Sequence, residues 1–392
     1  MKLRTLALVL SAVAFAGCKK EEKATGGSGS AGSGSGSGGA APQTKPSEGP
    51  LPELPALTLP DDPKRADKIA LGKVLFFDKR LSGHNDRSCY SCHLNEDGTG
   101  GHDPLAIGSG DKKLTRHAPT LWNVGYWKNA FYWDGRAKTL EDNVKGAWGG
   151  GNMGAGADTP EKTAELLDKK AGELAALPDY KKLFAAAFPA AKPVKAAEVN
   201  QAIAEYMRTF VCKDTAYDKF QAGDKAALND QQKAGLDLFL GKAQCGVCHA
   251  PPFFSTAMSQ DGGVYFNVGI GTQGVPEDKV DIGRKKVSNQ DVDWAAFKPP
   301  SLRNVTKSPP YFHDGSVAKL DDAVRLMVKG GVDNKNKNPL LKDNGLNDGE
   351  VGALIAFLGA LECQGKIDAP ADSPTKTEPA KTDKKPEKKK TK

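Results

Sequence analysis

Apolar positions recur at helical spacing along this chain and scarcely ever alternate. Between Lys195 and Val211, the residues Val199, Ile203, Met207 and Phe210 fall on one helical face. Leu320, Ala323, Val324, Met327 and Val328 form a second stripe, in which a methionine ordinarily serves as packing. Asn229 with Gln232 caps a helix running through Leu236 and Phe239. Asn347 with Glu350 reads as a capping box, opening a helix whose Val351, Leu354, Ile355 and Leu358 repeat at i, i+3, i+4, i+7. Long Gly/Pro-rich segments, such as 94–120 and 250–316, separate these helices. The pattern predicts an all-α protein with unusually long connections, which are functional or disordered in most proteins.

Composition narrows this. The chain has 392 residues, of which 39% are hydrophobic and 26% charged, enough for a packed body of two or three domains. Much of the excess in its 44 Gly and 25 Pro sits at the ends. The Gly/Ser run 26–40 and the Lys/Pro-rich stretch 366–392 offer little to bury and read as disordered. The net charge of +7 also belongs to the ends, and the body between them is balanced. A nucleic-acid-binding domain would show a clustered basic face, so no nucleic-acid partner is expected. No run reaches the ~18 apolar residues of a spanning helix.

Met1–Arg4 is basic, Thr5–Phe15 is apolar, and Phe15-Ala16-Gly17-Cys18 follows, which is the layout of a secretory signal. Its end resembles a bacterial lipobox. That resemblance implies cleavage after residue 17 and lipidation of Cys18. The absence of Asp after Cys18 resembles lipoproteins sent to the outer membrane, with 18–50 as a flexible tether. The expected location is periplasmic and lipid-anchored.

Cys89-Tyr90-Ser91-Cys92-His93 and Cys245-Gly246-Val247-Cys248-His249 both read C-x-x-C-H, the attachment signature of c-type haem. The two thiols add across the haem vinyl groups, and the adjacent His ligates the iron. Zinc would want four clustered ligands, and a redox dithiol needs neither the His nor a second copy. Two covalently bound haem c groups follow, with His93 and His249 as metal ligands. Cys212 and Cys363 remain; in an oxidising compartment they either pair as a disulfide or stay as two buried thiols. Around haem the long loops can be ordered, because the porphyrin supplies an apolar core. The expected build is two cytochrome c-like haem domains.

The run Leu71-Gly72-Lys73-Val74-Leu75-Phe76-Phe77-Asp78-Lys79-Arg80-Leu81-Ser82 ahead of the first motif resembles the entry of bacterial dihaem cytochrome c peroxidases. So do Ala118-Pro119-Thr120-Leu121-Trp122-Asn123, Trp133-Asp134-Gly135-Arg136, Phe297-Lys298-Pro299-Pro300-Ser301-Leu302-Arg303-Asn304 and Pro310-Tyr311-Phe312-His313-Asp314-Gly315. The matches run in family order from about 69 to 361. The family includes a quinone-maturing dihaem enzyme. The resemblance implies that the first haem meets hydrogen peroxide and the second takes electrons from a small cytochrome c or cupredoxin. It makes Met327 the distal ligand of the second haem, where His/Met ligation raises the potential. The quinone-maturing relative has Tyr in that place. Trp133 becomes the aromatic bridge between the haems, and a homodimer is compatible with the family.

Three departures stand out. Where the family has a His capping the first iron, this chain has Ser109, in Ile107-Gly108-Ser109, with His102 and His117 as nearby substitutes. Where the family has a catalytic Glu before Met, Asn152 stands before Met153. An amide cannot take and return a proton near neutral pH, and acid–base help is worth ~10²–10⁴ in rate. Calcium, held in the family through an Asn side chain, meets His117 here; it prefers oxygen, which leaves the carbonyls of Ser308 and Pro310. The expected plan is a signal at 1–17, a tether at 18–50, a peroxidatic domain at 51–222, an electron-transfer domain at 223–365 and a tail at 366–392. The expected activity is peroxide reduction. A non-catalytic electron carrier, or a dihaem oxidase of a protein or organic substrate, is the alternative that Asn152 sustains.

Overall fold

The computed structural model describes residues 51–370. The signal, Cys18, the tether and the chain from 371 onward lie outside the described residues. The helices are α1 (Arg65–Phe77), α2 (Leu140–Gly149), α3 (Pro160–Ala176), α4 (Pro178–Ala187), α5 (Ala196–Met207), α6 (Ala216–Gln221), α7 (Asp230–Leu240), α8 (Thr256–Ser259), α9 (Lys285–Ser288), α10 (Leu320–Val328) and α11 (Asp348–Gly359). Among the described residues, extended pairing is limited to isolated bridges, so the all-α expectation holds.

Local chemistry sets the helix starts. Thr139 accepts from the Asp142 amide ahead of α2, and Thr159 with Pro160 opens α3. Asn229/Gln232 and Asn347/Glu350 close reciprocal capping boxes on α7 and α11.

The same build occurs twice. In the first half α1 lies on α5, burying Leu71, Leu75 and Phe76 against Val199, Ile203 and Tyr206. In the second, α7 lies on α11, burying Leu236 and Phe239 against Leu354 and Phe357. Each such side chain contributes about 1.5–3 kcal/mol on leaving water. Both crossings depend on a glycine: a Cβ on Gly72 would strike the Ala202 carbonyl, and one on Gly235 the Ala353 carbonyl.

Each half then runs through its C-x-x-C-H turn, a left-handed Asn (Asn123 or Asn304), and a tight turn closed by one bridge, Phe131 to Ala137 or Tyr311 to Val317. It continues into α2 or α10. The first half alone carries the additional pair α3 and α4.

Two expected boundaries move. The division at 222 falls too late, because Tyr217 on α6 is buried in the second core and its amide donates to the Ala360 carbonyl. The halves therefore part just before α6. The tail begins later than 366: Ile367 is 4% exposed in the first core, and its backbone exchanges two hydrogen bonds with the Asn95 side chain.

Candidate functional site

Each haem-type motif forms a short helical turn, Cys89–Ser91 and Cys245–Val247. Past the turn, His93 Nδ1 lies 2.8 Å from the Thr99 carbonyl and His249 Nδ1 lies 3.0 Å from the Phe254 carbonyl. A carbonyl can only accept, so each Nδ1 carries the proton and each Nε2 keeps its lone pair. Burial holds the His93 pKa down to about 4 and lowers that of His249, so both rings are neutral bases.

The four motif cysteines are free thiols, and burial pushes Cys89 and Cys245 up to about 12 and Cys248 to about 11. A redox dithiol would show a lowered value. Among the described residues no group of His, Cys, Asp or Glu is arranged to hold a metal by itself. Two unpaired thiols beside one neutral imidazole fit a covalent haem at each motif, and they fit neither zinc nor a dithiol.

The halves meet at a seam of reciprocal bonds. The His117 amide donates to the His313 carbonyl at 2.7 Å, and the Lys298 amide donates to the Trp133 carbonyl at 3.0 Å. His117 and Lys298 occupy matching places in the two halves, as do Trp133 and His313. The Trp133 indole N–H donates to the His117 carbonyl at 2.9 Å, and the His313 ring stands 6.5 Å away, edge-on. His313 itself stacks on Phe297 at 3.7 Å, and burial holds its pKa down to about 4.

Charge closes the same seam. Arg116 binds Asp134 of its own half at 2.7 Å and Asp281 of the other at 2.6 Å. Lys298 donates to the Ala130 carbonyl at 2.7 Å and lies over the Trp127 ring. Gly315, at a φ of +61°, sits where a Cβ would strike Pro104 of the other half. Cys212 and Cys363 are joined by a disulfide. Their amides donate to Asn123 and Asn304 respectively, so the disulfide links matching points of the two halves.

Met327 on α10 is half-buried and lies outside the second core, although its helix neighbours Val324 and Val328 pack into it. The matching position on α2 is Ala147, so the first half has no thioether to offer there.

Asn152 is exposed; its carbonyl accepts the Ser109 amide at 3.0 Å. The Ser109 hydroxyl lies 3.1 Å from His84 Nδ1 and donates to Asp86 at 2.7 Å. Sequence reasoning passed over His84 and Asp86. Their signal was a His and an Asp shortly before the first cysteine, without a motif to single them out. His102 is exposed between Asp97 and Asp103, and it borders a small cavity of 120 Å³ that reaches Cys92. His117 Nδ1 is 2.9 Å from the Asp103 carbonyl, so that edge of the ring carries hydrogen and offers no lone pair to a cation.

A profile of the di-haem cytochrome c peroxidase family matches residues 66–226. The chain is 32% identical to methylamine utilization protein MauG of Methylorubrum extorquens, over 77% of this chain and 80% of that protein. It is 34% identical to cytochrome c551 peroxidase of Pseudomonas aeruginosa, over 80% of this chain and 83% of that protein. In three dimensions it is similar to a MauG-like protein associated with microbial copper homeostasis, with a TM-score of 0.67 and 30% identity over 83% of this chain and 96% of that one.

Proposed function

The chain belongs to the di-haem cytochrome c peroxidase family, and from that premise we propose that it reduces hydrogen peroxide to water with electrons from a small cytochrome c or cupredoxin. When bound, the two haem c groups supply irons that exchange electrons, one of them open to peroxide. Cys89 and Cys92 hold the first haem and Cys245 and Cys248 the second, while His93 and His249 present their Nε2 lone pairs to the irons. Met327 would hold the second iron through its thioether, a ligand that would raise the potential and suit an electron store. Trp133, pinned through its indole N–H and its carbonyl to both halves, would serve as the bridge between the centres.

The observation that carries this reading is the asymmetry between otherwise matching halves, Met327 on α10 against Ala147 on α2. A thioether would be on offer to one centre and none from the matching position to the other, the division of labour that a two-electron peroxidase needs. Asn152 occupies the loop beside the first centre and cannot itself move a proton. Calcium is not part of the proposal, because His117 offers a ring nitrogen where calcium prefers oxygen. The N-terminal signal and Cys18 support a lipid-anchored periplasmic location, where c-type haem is attached.

Steady-state assay of the purified protein with reduced cytochrome c and hydrogen peroxide tests the reading. Two donor molecules oxidised per peroxide are expected. A protein that exchanges electrons with donors but ignores peroxide would be an electron carrier. The similarity to MauG favours a second reading, a dihaem oxidase of a protein or organic substrate. Slow turnover of cytochrome c alongside rapid peroxide-dependent oxidation of another substrate would establish it.

A further inference from the structure

Peroxide reduction consumes protons as well as electrons: one peroxide, two electrons and two protons give two waters. The loop beside the first centre offers no acid of its own at Asn152. Three stretches distant in sequence nevertheless converge there. The Gly83 amide donates to the Met153 carbonyl at 2.7 Å, and the Ser109 amide donates to the Asn152 carbonyl at 3.0 Å. Cys92 Sγ lies 3.7 Å from the Ile107 carbonyl, so this junction adjoins the first haem attachment point.

A short polar chain crosses the junction. His84 is exposed, while Ser109 is only 4% exposed. His84 Nδ1 is 3.1 Å from Ser109 Oγ, and the His84 amide donates to the same oxygen at 3.2 Å. Ser109 Oγ donates in turn to Asp86 Oδ1 at 2.7 Å. Asp86 also receives the Gly110 amide at 2.8 Å, and Ser82 Oγ lies 3.1 Å from it. Other charges near the junction are Arg87, 3.9 Å from Asp86 and 2.8 Å from Asp111, and Lys112, whose methylenes border Gly151.

In a hydrolytic triad the imidazole stands between the acid and the hydroxyl. Here the hydroxyl stands between the imidazole and the acid. That order does not generate a nucleophile. It suits a relay, in which a hydroxyl receives one proton and releases another while a carboxylate holds it in place.

We infer that His84 and Ser109, oriented by Asp86, form the proton inlet of the first haem centre. This rests on the peroxidase reading. As the O–O bond breaks, His84 Nδ1–H passes its proton to Ser109 Oγ. Ser109 swings its own proton from Asp86 toward the leaving oxygen, which departs as water. The electrons come from the donor through the haems, and solvent reprotonates the exposed imidazole. His84 is a positioning and relay residue, since it reaches the centre only through Ser109.

The test compares the full holoprotein with H84Q, S109A and the double variant. Two readouts are followed in ordinary and in heavy water: peroxide turnover with reduced cytochrome c, and the association rate of cyanide with the oxidised protein. Cyanide enters as the neutral acid and binds as the anion, so it surrenders a proton at the same place. Each single change is expected to slow turnover at neutral pH by about tenfold or more, toward the ~10²-fold lower end of acid–base contributions. The double variant is expected to be no slower than the slower single, because residues in series do not add. Both rates should fall in heavy water for the parent, and that solvent isotope effect should vanish in H84Q. A purely structural tie would leave that isotope effect in place. Single variants within about twofold of the parent, a multiplicative double, or an isotope effect that persists in H84Q overturns the relay. If the parent protein does not turn over peroxide, the peroxidase reading fails. Cyanide association then decides the relay alone, by loss or persistence of the same isotope effect.

Discussion

Arg303 is the most heavily committed side chain near the second centre, and its removal should be costly. Its side chain is 0% exposed. Both terminal nitrogens reach the Asp218 carboxylate at 2.7 Å, and Nε and Nη2 donate to the Pro252 carbonyl at 3.0 and 2.8 Å. Two residues past Pro252 lies Phe254, whose carbonyl receives His249 Nδ1. The guanidinium therefore ties α6 to the segment that orients the second proximal histidine. Burial alone would raise the Asp218 pKa. The Arg303 hydrogen bonds and charge, with Thr215, outweigh that and hold it below the usual carboxylate range.

Arg303→Met keeps much of the volume but strands a largely buried carboxylate, which costs about 3–5 kcal/mol. At the few degrees per kcal/mol expected for a chain of this size, the melting temperature should fall by roughly 6–15 °C. The assay is thermal and denaturant unfolding, followed by the absorbance of the second haem. Adding Asp218→Asn should recover much of the loss, since the stranded charge is then gone. The pH dependence has a definite sign. A depressed carboxylate contributes stability above its unfolded pKa of ~3.9 and loses it as pH falls through its folded value. Parent and Arg303→Met should therefore converge in stability below about pH 4. A loss under about 1 kcal/mol at pH 7, or a double variant no better than the single, would refute the reasoning.

The remaining predictions concern the centres and their frame. Met327→Ala should lower the second haem's potential in a redox titration while leaving the first haem's unchanged; an unaltered potential would remove Met327 as ligand. Asn152→Glu should raise peroxide turnover at saturating donor, by less than the full ~10²–10⁴ range because the glycines before it do not fix the new carboxylate. No gain in an enzyme that is already fast would show that the proton travels elsewhere. Cys212→Ser with Cys363→Ser opens a loop spanning 151 residues. It should cost up to about 5 kcal/mol in denaturant unfolding, with reductant lowering the parent to the same level; an unchanged midpoint would contradict this.

Features encoded within a few residues were legible in the sequence. The two C-x-x-C-H motifs, the capping boxes at Asn229/Gln232 and Asn347/Glu350, and the all-α class all depend on neighbours along the chain. Ala118-Pro119-Thr120-Leu121 and Pro299-Pro300-Ser301-Leu302, with the Asp-Gly turns at 134–135 and 314–315, correspond between the halves, but that correspondence gains its meaning only at the seam of the fold, where the His117 amide meets the His313 carbonyl and the Lys298 amide the Trp133 carbonyl. What escaped is what distant segments make together. His84 gains meaning only when the loops of Ser109 and Asn152 fold against it. Tyr217 looks like the end of the first domain until Ala360 claims its amide. Ile367 is a lone apolar residue in a Lys/Pro-rich stretch, and nothing local shows that Asn95 anchors it.

Covalent haem content tests the account most directly, because every role assigned to His93, His249, Met327 and Trp133 depends on it. The measurement is the pyridine haemochrome of purified protein per polypeptide, before and after acid-acetone extraction. Two haem c groups per chain are expected, both retained by the protein after extraction. One haem per chain, or haem released into the organic phase, would contradict it.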